Sequence, residues 1–263
     1  MKKLRNVLIV LLFISSFQKA FSQEKAFIDE FKVNAGYMLL KSDFGQRGNL
    51  QANLNNAGIF LDAKVYFNIL SQNYLVKSEF AEHLKFSVGI NMGYSKLNHY
   101  GAYVEANNHF ATMLKAMHGK VFFGGMSINS ELHLRSTYRF DDATYLYGFD
   151  KFDPYAGIGF GYYYYKPTVT SDLGDINTDP TIVPSSYVGR IYNKSGFVPT
   201  IDFNAGIRYR YNDMFQFDLN ADWKYFVSDK VDGLVPNLDA NKYNDWVFTP
   251  SFGIVYFLFT KNF

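Results

Sequence analysis

Residues 84–95 read Leu84-Lys85-Phe86-Ser87-Val88-Gly89-Ile90-Asn91-Met92-Gly93-Tyr94-Ser95, with apolar side chains at every even position and small, polar or charged ones at every odd position. Successive side chains of a β-strand point to opposite faces of the sheet, so this period of two predicts a strand with one apolar face and one polar face. Six other segments repeat the alternation, and a further segment, 155–164, shows it more weakly. The chain is therefore predicted to be all-β.

The number and length of these segments favour a membrane barrel over a soluble sandwich. Strands of about 12 residues are long enough to cross a bilayer, and an even number of antiparallel strands closes with both chain ends on one side. We expect a closed eight-stranded antiparallel up-and-down transmembrane β-barrel whose apolar face contacts lipid. The predicted strands span residues 31–39, 57–68, 84–95, 122–135, 155–164, 201–210, 215–225 and 246–259.

The connections between these strands alternate between two ends of the predicted barrel. The outer loops are expected at 41–55, 97–119, 166–196 and 228–245, and the inner turns at 69–83, 136–151 and 211–214. The longest connection is an outer loop and the shortest is an inner turn, as this topology requires. Pro250 lacks the N–H that a closed sheet uses, so we expect a β-bulge there.

The first 22 residues have the layout of a cleavable signal peptide. Two lysines and an arginine precede the apolar run 7–14, and small residues at 20 and 22 precede a predicted cut before Gln23. The apolar run is shorter than the roughly 20 residues that a membrane-spanning helix needs. The chain is therefore divided into a signal peptide, 1–22, and an outer-membrane β-barrel domain, 23–263.

The composition fits an exported bacterial barrel. The chain has no cysteine, which excludes disulfides, thiolate metal sites and a lipidated N-terminal cysteine. Aromatic residues make up 19% of the chain, with 21 Tyr and 27 Phe. Because an apolar ring with a polar tip suits a membrane interface, these rings predict aromatic girdles at both rims of the barrel.

Charge and motifs exclude two classes of partner. Removal of the signal peptide takes away four basic residues and leaves 22 basic against 24 acidic ones, a net charge of −2 that gives nucleic-acid binding no electrostatic support. The Gly-Ile-Gly-Phe-Gly stretch at 157–161 lies in a predicted strand with no helix pattern after it, so we expect no nucleotide and no other cofactor. The expected partners are outer-membrane lipid and an envelope protein.

The polar face of the predicted strands carries charges of both signs. An eight-stranded barrel is only wide enough inside to be filled by side chains, and charges in such an interior need partners. We therefore expect a plug of ion pairs, with a small passive pore lined by the same charges as an alternative. The predicted lumen network is Lys32, Asp62, Lys64, Lys85, Glu131, Arg135, Asp202, Arg208, Arg210, Asp218, Asp222 and Lys224.

Catalytic and metal-binding motifs are weak. His99, His109 and His118 lie together in the second predicted outer loop, and Ser95 is at its edge, which leaves a lipid-modifying enzyme as an alternative function. Aspartates in the third and fourth outer loops leave calcium binding open, although their spacing is not that of an EF-hand. We assign no catalytic residue and no metal ligand.

The predicted loops and rims contain several distinctive phrases, which include Ser42-Asp43-Phe44-Gly45-Gln46-Arg47-Gly48, Asn53-Leu54-Asn55-Asn56-Ala57-Gly58, His99-Tyr100-Gly101, Met117-His118-Gly119, Leu173-Gly174-Asp175 and Val231-Asp232-Gly233-Leu234. These phrases resemble a family of small outer-membrane β-barrel proteins of flavobacteria that has no assigned function. The chain has Phe44 and Ala57 where that family typically has Tyr and Thr. The resemblance spans residues 35–259 and implies a barrel, an outer-membrane location and an origin in the Bacteroidota. Its glycines at 45, 48, 101, 119 and 233 are expected to hold turns.

These observations favour a non-enzymatic outer-membrane barrel that binds a protein or envelope partner through its outer loops. It could act, for example, as an accessory subunit of a secretion or surface-assembly machine. Loops with specified residues on a generic scaffold are where a binding role is expected. The candidate binding residues are Arg47, His99, Tyr100, His118, Asp175, Asp232, Asp245 and Trp246.

Overall fold

The computed structural model describes residues 28–44, 50–67, 79–136, 146–235 and 244–258 and contains one closed sheet. Its antiparallel strands follow one another around the barrel in chain order, and the first strand pairs with the eighth. This confirms the predicted closed up-and-down barrel. The strands are β1 (Ile28–Lys41), β2 (Gly58–Phe67), β3 (Leu84–Asn98), β4 (Met117–His133), β5 (Phe152–Ser171), β6 (Gly196–Arg210), β7 (Phe215–Phe226) and β8 (Trp246–Phe257).

The predicted signal peptide, 1–22, lies outside the described residues. Within the described ranges, no helix is long and apolar enough to cross a membrane.

The register of the barrel is regular, with one shift near the start of β1, between Ile28 and Glu30. The prediction of a bulge at Pro250 is wrong, because β8 keeps a single register against β7 through the pair of Ala221 and Pro250. On the other side of β8, the pairing with β1 is interrupted between Gly36 and Leu39. A gap in the ladder, rather than an extra residue, thus accommodates the missing N–H of Pro250.

The two ends of the barrel are unequal. At the inner end, β6 and β7 are joined by the short turn 211–214. The outer end carries loop 1 (42–57), loop 2 (99–116), loop 3 (172–195) and loop 4 (227–245). Loop 1 contains helix α1 (Leu50–Asn55), and loop 2 contains α2 (Ala102–Glu105) and α3 (His109–Ala116). The outer loops are therefore structured segments, not simple connections.

The strands beneath loops 2 and 3 are longer than predicted. β5 has 20 residues and pairs with β4 as far as Ser171, but with β6 only as far as Tyr165. Residues 166–171, predicted as loop, are therefore strand. A transmembrane strand needs about 9–11 residues, so the β4–β5 hairpin extends beyond the bilayer and supports the loops above it.

The outward face of the barrel is an apolar band. Several of its mid-strand side chains are more than half exposed, which a soluble protein rarely shows over so continuous a surface. Lipid is the solvent that stabilises such a band in bacterial outer-membrane barrels, and the protein is located in that membrane. Examples in the band are Ile90, Met126, Ile128, Phe160, Leu219 and Phe252. Rings bordering it include Tyr94, Phe122, Trp223 and Tyr225 toward the outer end and Phe152 and Phe215 toward the inner end.

Candidate functional site: the lumen network and the outer cap

Arg208 organises the charges in the inner half of the lumen. Its Nη1 lies 2.6 Å from Oε2 of Glu30, and its Nη2 lies 3.1 Å from Oε2 of Glu131. The guanidinium also stacks over the rings of Tyr66 and Tyr155, 4.6 and 5.2 Å from their centroids. A buried guanidinium is stable only with several such partners. These contacts therefore connect five strands (β1, β2, β4, β5 and β6) across the lumen.

Lysines extend the network on either side of Arg208. Lys32 Nζ lies 3.0 Å from Asp218 Oδ2, and Lys224 Nζ lies 3.1 Å from Asp202 Oδ2. Lys64 is surrounded by three carboxylates at 3.7–3.9 Å. The buried charges of the described lumen nearly cancel: Lys32, Lys64, Lys85, Arg208, Arg210 and Lys224 face Glu30, Asp62, Glu131, Asp153, Asp202, Asp218 and Asp222.

Eleven of the twelve residues of the predicted lumen network lie buried inside the barrel. The exception is Arg135, which follows the end of β4 at the inner rim and pairs there with Asp150 at 2.9 Å, with its side chain 33% exposed. The structure adds Glu30 and Asp153, which the sequence prediction omitted because it began β1 and β5 too late. Both residues continue the inward alternation of their strands, and that signal was available in the sequence.

An apolar layer fills the outer half of the lumen, above the charges. Phe123 and Phe226 are fully buried with ring centroids 5.4 Å apart, and Tyr163 lies edge-on to both. The sequence prediction did not anticipate this layer. Its signal is a local loss of alternation: segments such as 121–123 and 225–227 are apolar on both faces. The layer separates the ion pairs from the outer surface.

The four outer loops fold together over this layer, and we call the resulting body the cap (the described residues of loops 1–4). Each loop contributes at least one side chain to a single buried apolar cluster that is continuous with the apolar layer. A shared core makes the cap one packed unit rather than four independent loops. The cap residues of this cluster are Phe44 from loop 1, Leu114 from loop 2, Val183 and Tyr187 from loop 3, and Val231 and Leu234 from loop 4.

Two buried aspartates hold the fold of loop 4, and one of them connects it to loop 1. Oδ2 of Asp245 accepts hydrogen bonds from the backbone N–H groups of Val231 and Asp232, at 3.0 and 3.2 Å. Asp232 accepts from the N–H of Asp43 in loop 1 at 2.6 Å and from that of Leu234 at 2.8 Å. Burial, and then the nearby Asp245, raise the pKa of Asp232 well above its usual value. Both aspartates are 0% exposed, so they hold the cap together and do not face a partner.

Of the glycines expected at turns, Gly45 and Gly48 lie outside the described residues, and the other three fall into two groups. Gly101 and Gly233 have φ values of +104° and +88°, which favour glycine. Gly119 lies within β4 instead of in a turn, and a Cβ there would come within 2.6 Å of the Phe44 ring. The absence of a side chain at 119 therefore lets loop 1 pack against the barrel.

His99 lies inside the cap and not on its surface. Its ring centroid is 4.8 Å from that of Phe44 and 5.8 Å from that of Tyr187. Burial, with a smaller contribution from the nearby His118, lowers the pKa of His99 to about 4. His99 is therefore neutral near pH 7 and acts as a packing residue of the cap.

Ser95 and His118 hydrogen-bond to other groups and not to each other. Both ring nitrogens of His118 are engaged: Nδ1 lies 2.6 Å from Asn98 Oδ1, and Nε2 lies 3.0 Å from Asp172 Oδ2. Ser95 points into the barrel, where its hydroxyl donates to the carbonyl of Asn56 at 2.6 Å. Activation of a serine needs a histidine that accepts the hydroxyl proton, and here that proton is directed to a backbone carbonyl.

The remaining candidate residues occupy separate positions. Asp175 is exposed and holds a turn by accepting the Asn177 N–H at 3.0 Å. The hydroxyl of Tyr100 accepts from Asn98 at 3.5 Å. Trp246 faces outward at the start of β8, with Lys41 Nζ 5.0 Å from its ring centroid. Arg47 lies outside the described residues. In the part of the chain that the structure describes, no three His, Asp or Glu side chains are placed to hold a metal ion.

Comparison with known proteins finds solved structures with a similar backbone fold at low sequence identity. No family model matches the sequence, and no curated protein matches it. Among solved structures, Neisserial surface protein A shares 13% identity at a TM-score of 0.42, covering 86% of this chain and 95% of its own. Ail of Yersinia pestis, in complex with the heparin analogue sucrose octasulfate, shares 12% identity at a TM-score of 0.39, covering 88% of this chain and 99% of its own. OprG of Pseudomonas aeruginosa shares 12% identity at a TM-score of 0.38, covering 87% of this chain and 96% of its own. The closed barrel is established by its own strand pairing, independently of these similarities.

Proposed function

We propose that this protein is a non-enzymatic outer-membrane barrel whose cap binds a protein or another envelope component at the cell surface. It would serve as an accessory subunit of a secretion or surface-assembly machine. We also propose that it belongs to the flavobacterial barrel family that its loop phrases resemble. The observation that carries the proposal is the shared core of the cap. A preorganised surface loses little conformational entropy on binding, whereas independent loops would lose more.

The cap also exposes apolar side chains where lipid does not cover them. Leu50 and Leu54, one helical turn apart on α1, are 68% and 46% exposed, and Tyr103 on α2 is 65% exposed. Loops 1 and 2 are neighbours, because the Asn56 side chain exchanges hydrogen bonds with the backbone of Asn98 at 3.0 and 2.8 Å. Exposed apolar groups beside one another on a rigid surface are typical of interaction sites.

Crosslinking in whole cells tests this role. A photo-crosslinking residue at position 103 is expected to capture a defined envelope protein. The combination of Leu50→Ser with Leu54→Ser is expected to reduce that product at least about tenfold, because both leucines would be buried against the partner on binding. Tyr147 and Phe149, which are 77% and 88% exposed at the inner end, provide the matched control when both are changed to Ser. A product that survives the α1 substitutions, or disappears equally in the control, would contradict binding through the cap.

The two alternative functions have separate tests. Lipid A extracted from cells with and without the gene should give identical mass spectra, and a change would favour a lipid-modifying enzyme. The buried rings of Phe123, Tyr163 and Phe226 obstruct the outer half of the lumen, so planar-bilayer recordings should show no steady conductance. A stable open level in wild-type protein would favour the pore.

A further inference from the structure

The outward face of the barrel has an asymmetric distribution of charge. Among the outward strand positions whose side chains the structure describes, the charged residues are Lys41, Lys96, Lys120 and Lys166. Each lies near the outer end of its strand, and the rest of this outward surface is apolar or uncharged. Since charges facing lipid are costly, cations confined to one level mark a boundary where the surface leaves the acyl chains.

Three of these lysines form one cluster on adjacent strands. Lys96 on β3 is directly opposite Lys120 on β4, and Lys166 on β5 is opposite Phe122, two residues from Lys120. All three side chains are exposed. Among the described residues, no carboxylate lies within ion-pairing distance of any of the three. Like charges directly opposite each other destabilise a sheet, so an anion from outside the chain would stabilise this arrangement.

The surroundings of the lysine cluster indicate what kind of anion fits. On the membrane side lie the partly exposed rings of Tyr94 and Phe122, which face each other across β3 and β4. On the solvent side lies His118, whose Nε2 already contacts Asp172. A ligand at this level would place its charge on the lysines and its apolar part against the rings below. That combination describes an amphiphile of the outer leaflet rather than a soluble anion.

We propose that Lys96, Lys120 and Lys166 bind the phosphate of an anionic glycolipid of the lipid A type. Ammonium groups near a membrane surface attract anionic headgroups, and long lysine side chains extend toward the headgroup level while their methylenes remain over apolar surface. This site is on the barrel wall and is distinct from the cap surface proposed above. It would fix the depth and rotation of the barrel in the outer leaflet.

Native mass spectrometry of lipid retention tests the lysine cluster. The protein is reconstituted in phosphatidylcholine nanodiscs containing diphosphoryl lipid A, released, and the bound lipid counted. We expect wild-type protein to retain lipid A, and the triple variant K96S/K120S/K166S to bind it on the order of 100-fold more weakly. Heat-modifiable gel mobility verifies that the variant is folded. The matched control changes three exposed cap lysines, Lys115, Lys194 and Lys230, to Ser.

The outcomes separate a specific site from general attraction. Loss in the cluster variant with retention in the control variant supports the proposal. Equal loss in both variants, or equal retention in both, would overturn it.

A second experiment uses lipid A stripped of its phosphates, and a third uses glycerol phosphate. Undiminished binding of the stripped lipid would overturn the role of phosphate, and glycerol phosphate binding as tightly as lipid A would overturn the lipid as the ligand.

Discussion

At the scale of single residues, the lumen depends on Arg208. Replacement of Arg208 by Met keeps much of the side-chain length but leaves the carboxylates of Glu30 and Glu131 without their shared partner. Breaking a buried ion pair from one side costs about 3–5 kcal/mol, so the free energy of unfolding should fall by that amount. Urea unfolding in phospholipid vesicles, followed by the fluorescence of the two outward tryptophans, Trp223 and Trp246, measures the change.

Arg135 provides the control for Arg208, because its own side chain is 33% exposed and its partner Asp150 is exposed. Exposed ion pairs contribute about 0–1 kcal/mol, and Arg135→Met should therefore unfold close to wild type. Equal destabilisation by the two substitutions would mean that water fills the lumen and that its charges are not held in a buried network.

His99 makes the cap sensitive to acid. The unfolded chain takes up a proton on this histidine near pH 6.5, whereas the folded cap does so only near pH 4. Stability from His99 is therefore present above pH 6.5 and is lost as the pH falls to 4, by roughly 3 kcal/mol in total. His99→Phe can pack against Phe44 and Tyr187 without titrating, so its cap should weaken less on acidification.

Hydrogen exchange of the cap amides, compared between wild type and His99→Phe at the same pH, measures this difference. The ratio of amide protection in His99→Phe to that in wild type should stay at its pH 7 value above pH 6.5. It should rise as the pH falls toward 4. The raised pKa of Asp232 acts in the opposite direction in both proteins, and it cancels in the ratio. A ratio independent of pH would show that His99 does not control the acid response.

At the scale of elements, one side chain of loop 3 hydrogen-bonds directly to the backbone of the barrel. The Asn193 amide accepts the N–H of Val169 at 2.6 Å and donates to its carbonyl at 3.0 Å. These backbone groups lie on the part of β5 that extends past β6, where a strand partner is missing. Asn193→Asp keeps the shape but places an oxygen against the Val169 carbonyl, so loop 3 should detach.

Limited proteolysis measures the detachment of loop 3. Cleavage within 172–195 should become about five- to 150-fold faster in Asn193→Asp, corresponding to about 1–3 kcal/mol for an unsatisfied buried acceptor, while the barrel remains folded. Ser195→Asp, at an exposed position of the same loop, should be cleaved at the wild-type rate. Unchanged cleavage in both variants would mean that other contacts are sufficient to hold loop 3.

The strands were predictable at this scale because lipid outside and charge inside impose a strict alternation on each of them. Their ends were not, because the constraint weakens where a strand leaves the bilayer. β5 therefore continues to Ser171 through a segment interpreted as loop, and Glu30 was missed by one position. The apolar layer was hidden for a related reason: Phe123 faces inward but reads as part of an apolar run, which period-two reasoning assigns to neither face.

The cap could not be derived from the sequence because its contacts join distant loops. Asp232 and Asp245 were selected as binding residues on the strength of loop phrases, yet they bond to backbone groups of loops 1 and 4 in a buried position. A residue specified for holding a loop and one specified for contacting a partner look alike in a single sequence. Only the fold separates them, by burial.

At the scale of the whole molecule, the apolar band gives the sharpest test of the lipid-facing surface. Ile90 is 58% exposed in the middle of β3, and arginine there would be harmless if water were its solvent. Facing the bilayer interior, Ile90→Arg should cost about 2–4 kcal/mol of unfolding free energy in vesicles. Tyr103→Arg, at a similarly exposed cap position, should be neutral. Equal stability of the two variants would contradict a lipid-facing barrel.

The contacts that span the molecule have a consequence for its biogenesis. The hydrogen bond from Asp43 to Asp232 joins residues 189 positions apart, and the one from Lys32 to Asp218 joins residues 186 apart. Neither can form before nearly the entire polypeptide has been delivered. Chains dominated by such distant pairings fold slowly and are prone to aggregate before completion. We therefore expect the newly made protein to cross the periplasm without a folded nucleus and to need a chaperone until its last strand arrives.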